Sequence, residues 1–425
     1  MELKNLNRLT WQKSKTIIVS LGMLLILFSM VVGFNSTNYW QKNQNYLKSG
    51  QARADYNSYL QKETKIESEI NKKYHSQKDY QKALDYGYSK GSNSIIGFNS
   101  KTGKYEISKD SFKHFYGYIY DKLFTDSSLG SLISSGYIFT TSVIYKNFTY
   151  LSLIFLIAGF LISFLDYRTN FNTMLFSSGF SRKDILKSKI KTSLFPLIGF
   201  AIVGIAINLG LLYAVFSTRY FNSPFNKVIF YQLCIIFVAI AYYFLGYLSG
   251  LIFGRVLPAI LTIIGFVIGL EMIQANLWDT YLGLNHIKSN EYNINSLFTQ
   301  FDTFSKWSLL CSLILLLIIG LFFTIQFLYE KLSLEEHGNF ILFSNLRLPL
   351  SLTAALFAAY ALAGNLGLSE QYNSVDLIWT MKYNVLPGIL IFFITFAIFM
   401  SLNNYKKIDD LFSRITNKSL RRQKN

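Results

Sequence analysis

The sequence predicts an all-α polytopic membrane protein with about eight transmembrane helices and a small, mainly helical extracellular domain between the first and second. Three observations carry this. The chain of 425 residues is 51% hydrophobic and 17% aromatic but only 15% charged, too apolar for a water-soluble protein of this size. Apolar runs of about 18 residues or more, enough to cross about 30 Å of hydrocarbon, recur along it. One long polar segment, from Asn35 to about Tyr145, separates the first run from the second.

The runs are approximately Thr16–Phe34, Phe148–Leu165, Leu194–Phe216, Val228–Phe253, Val256–Ile273, Leu309–Leu328, Leu348–Leu366 and Val385–Leu402. The seventh is rich in alanine and glycine, which leaves a re-entrant or interfacial element as its alternative. Lys4, Arg8, Lys13 and Lys15 precede the first run, and "GFNSTNYW" after it lacks a small-x-small cleavage signature, so it reads as an uncleaved signal anchor. The N-terminus is then cytoplasmic. Arg168, Arg182, Lys183, Lys187, Lys189 and Lys191 after the second run, Arg255 after the fourth and Arg347 before the seventh agree with that orientation. An even number of spans returns the basic tail, residues 405–425, to the cytoplasm.

The chain divides accordingly. Residues 1–34 are the cytoplasmic N-terminus and first membrane helix, and residues 35–145 the extracellular domain. Residues 146–330 form a transmembrane core, and residues 331–404 two additional membrane helices. In the polar domain, Tyr56, Tyr59, Leu60, Ile66 and Ile70 recur at mostly helical spacing. "GFNSKTGKYEISKD" reads as a hairpin turning at Gly103. A solvated lid or spacer and a substrate-gating surface are both compatible with this composition.

The segment "NTMLFSSGFSRKDILKSKI" between the second and third runs has its own grammar. Phe171, Met174, Leu175 and Ser178 share a helix face, so a short helix with one apolar edge is expected along the membrane surface. Gly179 ends it. Ser181 followed by Asp184 has capping-box spacing and restarts a helix that runs through Ile185, Leu186 and Ile190. By spacing alone, the segment is either a docking element for a cytoplasmic partner or a basic loop lying on anionic lipid.

Other chemistry is mostly excluded. The net charge of +17 comes without a helix-turn-helix, zinc-ligand spacing or aromatic-basic strand motif, so nucleic acid is not a partner. Cys234 and Cys311 fall inside apolar runs and read as small core residues, with neither a disulfide nor a metal site indicated. "LEEHGNF", Leu334 to Phe340, lacks the second ligand pair a membrane metalloprotease needs, and no phosphate-binding G-x-x-x-x-G-K-[ST] loop occurs. Few charged or broken positions interrupt the spans, which disfavours a secondary transporter. Gly246, Gly250 and Gly254 form a small-residue stripe for close helix approach, between subunits or within the chain. Glu271 is an ionisable residue near the outer end of the fifth run, read as a functional candidate or an interfacial carboxylate. Pro258, Pro349 and Pro387 are expected in or near first turns.

An acid closing the second run, a Thr-Met-Leu run, a "GFSR" turn and a later lysine together resemble the intracellular segment of type-2 ATP-binding-cassette exporter permeases. The match is to the subgroup with a long external segment between the first two helices, and covers about Leu3 to Lys331. Asp166 matches the acid, Thr173, Met174 and Leu175 the run, Gly179, Phe180, Ser181 and Arg182 the turn, and Lys189 the closing cation. Asn172 stands where that family commonly has glycine, and Gly179 where it commonly has proline. The resemblance implies that residues 166–191, including Phe171, Phe176 and Asp184, couple the chain to a separate cytoplasmic ATPase subunit that binds ATP and Mg. It implies no catalysis and no cofactor in this chain, a second permease chain, identical or related, and a multi-pass location in the bacterial plasma membrane. The expected cargo is hydrophobic or amphipathic: a peptide, antibiotic or lipid. The alternative is a non-transport sensor that binds a ligand through its extracellular domain.

Overall fold

The computed structural model describes residues 3–92, 94–116, 139–216, 225–284, 304–332, 340–363 and 377–403. Within the described residues, the eight apolar runs fall on helices: α1 (Leu3–Lys48), then, after the polar domain, α5 (Phe139–Arg168), α7 (Arg182–Val215), α8 (Phe225–Ile252), α9 (Val256–Leu284), α10 (Phe304–Glu330), α11 (Arg347–Ala363) and α12 (Leu377–Asn403). Among the described residues, six helical stretches are long and apolar enough to cross a membrane: Lys4–Lys48, Arg182–Val215, Val228–Ile252, Cys311–Glu330, Ser344–Ala363 and Leu386–Asn403. Helices α5 and α9 carry shorter apolar stretches, Tyr150–Asp166 and Ala259–Leu270. The seventh expected run is the least apolar of the six stretches, with a mean hydropathy of 1.5. Large side chains turn outward along the bundle, Leu316 at 65% and Leu386 at 73% exposure among them. Against water such a surface would drive aggregation; against hydrocarbon it is the solvent-facing side. The chain is thus a mostly helical protein built for a membrane.

Helix α1 packs along α7 and also touches α5; α5 packs along α8, and α8 against α10. The α5–α8 seam is set by glycine. A Cβ at Gly159 would lie 2.0 Å from the carbonyl oxygen of Tyr243, and one at Gly246 2.0 Å from that of Leu156. Gly250 meets the Phe160 carbonyl in the same way, at 2.7 Å. Backbones this close exchange many weak contacts that any side chain would forbid. The stripe at Gly246 and Gly250 is therefore an intrachain seam. Gly254 does not belong to it: α8 ends at Ile252, and the Gly254 amide donates to the carbonyl of Phe340 at 3.0 Å.

Cys234 on α8 and Cys311 on α10 form a disulfide across 77 residues of sequence, which corrects the reading of both as unpaired core residues. Each apolar run, inspected alone, carries no sign that the other lies beside it. Pro258 and Pro349 occupy first turns, as expected. Pro387 does not, because α12 begins upstream at Leu377 and places it inside the helix.

The last two helices, α11 and α12, pack on each other, and α11 on α9. Asn276 of α9 donates to the carbonyls of Tyr360 and Ala361 at 2.7 and 2.9 Å, offering the amide donors that a helix C-terminus lacks. Phe340 stacks on Phe253 and meets Phe399 of α12 edge-on. The side chain of Glu271 lies outside the described residues, as do residues 334–339 of the "LEEHGNF" stretch.

The polar domain grows directly from α1, which continues well past its apolar run. Ser49 then caps α2 (Gly50–Lys73), its hydroxyl accepting from the Ala52 amide. Helix α3 (Tyr80–Ser89), strands β1 (Ile96–Asn99) and β2 (Lys104–Ile107), and the short α4 (Phe112–Phe115) follow. The strands pair antiparallel with Ile96 opposite Ile107, and Gly103 turns between them at φ +67°. Ile66 and Ile70 of α2, Ala83 of α3, and Ile96, Tyr105 and Ile107 of the hairpin make the core. Asn71 locks the hairpin to α2, donating to the Tyr105 carbonyl at 2.8 Å and accepting from its amide at 2.7 Å. Burial pushes the Tyr105 phenol above its ordinary pKa, and its hydroxyl donates to the carbonyl of Ser76.

Candidate functional site

The segment between α5 and α7 folds as its local chemistry dictates. Asn170 adopts a left-handed conformation at φ 53°, which asparagine tolerates better than most residues, and turns the chain into α6 (Phe171–Phe176). Ser177 and Ser178 return their hydroxyls to the carbonyls of Met174 and Leu175, and Gly179 breaks the path at φ +80°. Ser181 then caps α7, accepting from the Asp184 amide at 3.1 Å. The Asp184 carboxylate takes a 2.6 Å bond from the Ser181 hydroxyl rather than one from its amide, so the box closes through side chains. Ser181→Ala is expected to cost about 1 kcal/mol, read as faster amide exchange confined to the first turn of α7.

The residues that α6 packs inward are only partly those of its apolar edge. Asn172 and Leu175 are buried, Phe171 and Phe176 half-buried, and Met174, Thr173 and Ser178 exposed. A polar residue, Asn172, displaces the apolar edge because it has a buried partner. Lys189, in the third turn of α7, inserts its ammonium 2.7 Å from the Asp166 carboxylate of α5, with side-chain exposures of 1% and 8%. The same ammonium donates to Asn172 Oδ1, which also accepts from Tyr329 Oη of α10 at 3.0 Å. The Phe171 and Tyr329 rings flank the cation at 5.4 and 5.5 Å from their centroids. A lysine in such surroundings is tolerable only when paired and hydrogen-bonded, and here both conditions hold.

A second set of contacts fastens the end of α10. Arg182 donates to the carbonyls of Glu330 and Leu332 at 2.5 and 3.0 Å, placing a cation at the negative pole of α10. Its guanidinium also lies 4.5 Å over the Phe176 ring, and Phe176 packs edge-on against Tyr329. Lys183 lies 3.6 Å from the Glu330 carboxylate. Helix α6 is thereby tied to α5 through Asp166, to α7 through Lys189 and Arg182, and to α10 through Tyr329.

Of the sequence-predicted residues, Asp166, Phe171, Leu175, Phe176, Phe180, Arg182 and Lys189 converge on this anchorage, with Phe180 packed against the main core. Thr173, Met174, Gly179 and Ser181 form the outer surface, and Asp184 is half-buried beside it. Tyr329 and Glu330 were missed. The only signal for them is a polar pair closing an otherwise apolar run. Among the described residues no group of three or more histidine, cysteine, aspartate or glutamate side chains is placed to hold a metal.

The arrangement is a short helix with an exposed face, fixed from behind to three long helices. No protein-family model, characterised protein or solved structure matches the chain.

Proposed function

We propose that this chain is the permease subunit of an ATP-binding-cassette exporter, with α6 as the helix that docks on a separate ATPase subunit. The observation that supports it most is the union of an exposed Met174, at 49%, with the buried Asp166–Lys189–Asn172–Tyr329 cluster behind it. A loop that merely lies on lipid has no need of a buried ion pair, whereas a helix that transmits force between a partner and the membrane helices must not give way. ATP-driven closure of two ATPase subunits would push on α6 of two permease chains and switch the bundle between inward-open and outward-open states. The positive-inside bias of the basic loops supports a cytoplasmic α6 and a polar domain outside the bacterial plasma membrane. The cargo of such a bundle is hydrophobic or amphipathic, a peptide, antibiotic or lipid.

Phe176 and Arg182 belong to the anchorage, so changing them would damage the element itself. Met174→Glu tests docking cleanly, because its side chain already faces solvent. The intact chain, purified in mild detergent from its native host, should retain an ATP-hydrolysing subunit. The Met174→Glu chain should fold equally well and lose about 30-fold in retention, the effect of removing a contact worth about 2 kcal/mol. If neither chain retains an ATPase, the exporter reading fails, and the polar domain becomes the place to look for a sensor's ligand.

A further inference from the structure

Between α1 and α7, at the end of the bundle that carries α6, lies a groove of about 470 Å³ lined by Asn7, Trp11, Lys191, Thr192, Phe195 and Pro196. Trp11 lies five residues before the first apolar run and Lys191 three before the third. At about 1.5 Å per residue, both sit about 5–8 Å from the hydrocarbon boundary, the level of lipid headgroups.

The lining is amphipathic and cationic. Phe195 is 66% exposed and Trp11 half-buried, giving an apolar wall. Lys191 is exposed and has no ion pair among the described residues, and no carboxylate lines the groove. Lys187, one turn earlier on the same helix, is exposed too. Pro196 has no amide hydrogen, so the Thr192 carbonyl lacks its helical donor. The groove therefore offers a cation for a phosphate, an acceptor for a headgroup hydroxyl and aromatic surface for an acyl chain.

We infer that this groove binds an anionic phospholipid with a hydroxylated headgroup. The bound lipid would bridge α1 and α7 within a turn of Lys189, bracing the helix on which α6 depends. Cation, headgroup depth and apolar wall together fit a phospholipid better than a soluble anion.

Native mass spectrometry of the full chain in mild detergent tests this, with phosphatidylglycerol and phosphatidylcholine of identical acyl chains as probes. Phosphatidylglycerol should be retained preferentially, and Lys191→Gln should lower its occupancy about five-fold. Lys42→Gln, an exposed change near the opposite end of α1, should leave it unaltered. Equal retention of the two lipids, or indifference to Lys191→Gln, would overturn the inference. Displacement of the lipid by excess inorganic phosphate would overturn the lipid as occupant. The test needs neither the ATPase partner nor transport, so its failure and that of the exporter reading are separable.

Discussion

Gly159→Leu is expected to leave no folded protein. A Cβ at this position would stand 2.0 Å from the Tyr243 carbonyl oxygen, and the next nearest atom, the Tyr247 amide nitrogen, is also backbone. A clash with a flexible side chain can be relieved by a rotamer change, but here the whole of α8 must retreat from α5. The reciprocal contact of Gly246 with the Leu156 carbonyl means that both sides of the seam are already at their limit. Alanine alone should cost about 3 kcal/mol, at the upper end of ordinary overpacking. Leucine adds three more carbons to a space that has none, and a total stability of about 5–15 kcal/mol does not survive it. The readout is size-exclusion chromatography of a fluorescent fusion: the leucine variant should run as aggregate or vanish, and Gly159→Ala should lower the unfolding temperature. Gly199 and Gly210 on α7 have nothing within 4 Å of a Cβ. Alanine at either should be neutral or stabilising by up to about 1 kcal/mol. A monodisperse Gly159→Leu chain would mean that α5 and α8 are not in backbone contact.

What was legible in the sequence was local, and what was hidden was pairwise. The apolar runs, the hairpin at Gly103, the break at Gly179 and the cap at Ser181 each depend on residues within a few positions of one another, where periodicity and turn chemistry carry the information. The Cys234–Cys311 bond depends on α8 lying beside α10, which no single run encodes. The glycine stripe was visible, but its partner was not, because Gly159 stands alone in its own run. For helix α6, apolar spacing put Phe171, Met174, Leu175 and Ser178 on one edge along the membrane surface, but it gave no sign of which residues pack inward: the buried cation on α7 draws Asn172 in beside Leu175 and leaves Met174 exposed. Hydrophobic periodicity misleads wherever a buried charge must be satisfied, since the polar residue that satisfies it is counted as surface.

That buried charge yields the second large effect. Lys189→Met should destabilise the chain by about 3–5 kcal/mol, because it strands the Asp166 carboxylate at 8% side-chain exposure without its counter-charge. Asp166→Leu should cost a similar amount by stranding the ammonium. Replacing both together should be far milder than the sum, since a matched apolar pair needs no compensation and buried ion pairs are often neutral to such exchange. Unfolding temperatures of the four chains in one detergent give the coupling directly. Two results would contradict the assignment. An inert Lys189→Met would mean that water reaches the ammonium, and strictly additive losses would mean that Asp166 and Lys189 do not interact. The double variant also separates stability from mechanism. It keeps the Tyr329 bond to Asn172 and the Arg182 contact with Phe176 but loses the link to α5 and the buried one of the two links to α7. If α6 is the docking helix, the double variant should still bind its ATPase through Met174 yet convert ATP turnover into transport poorly. An apolar patch holds α6 by area alone, whereas the charged pair holds it at one angle.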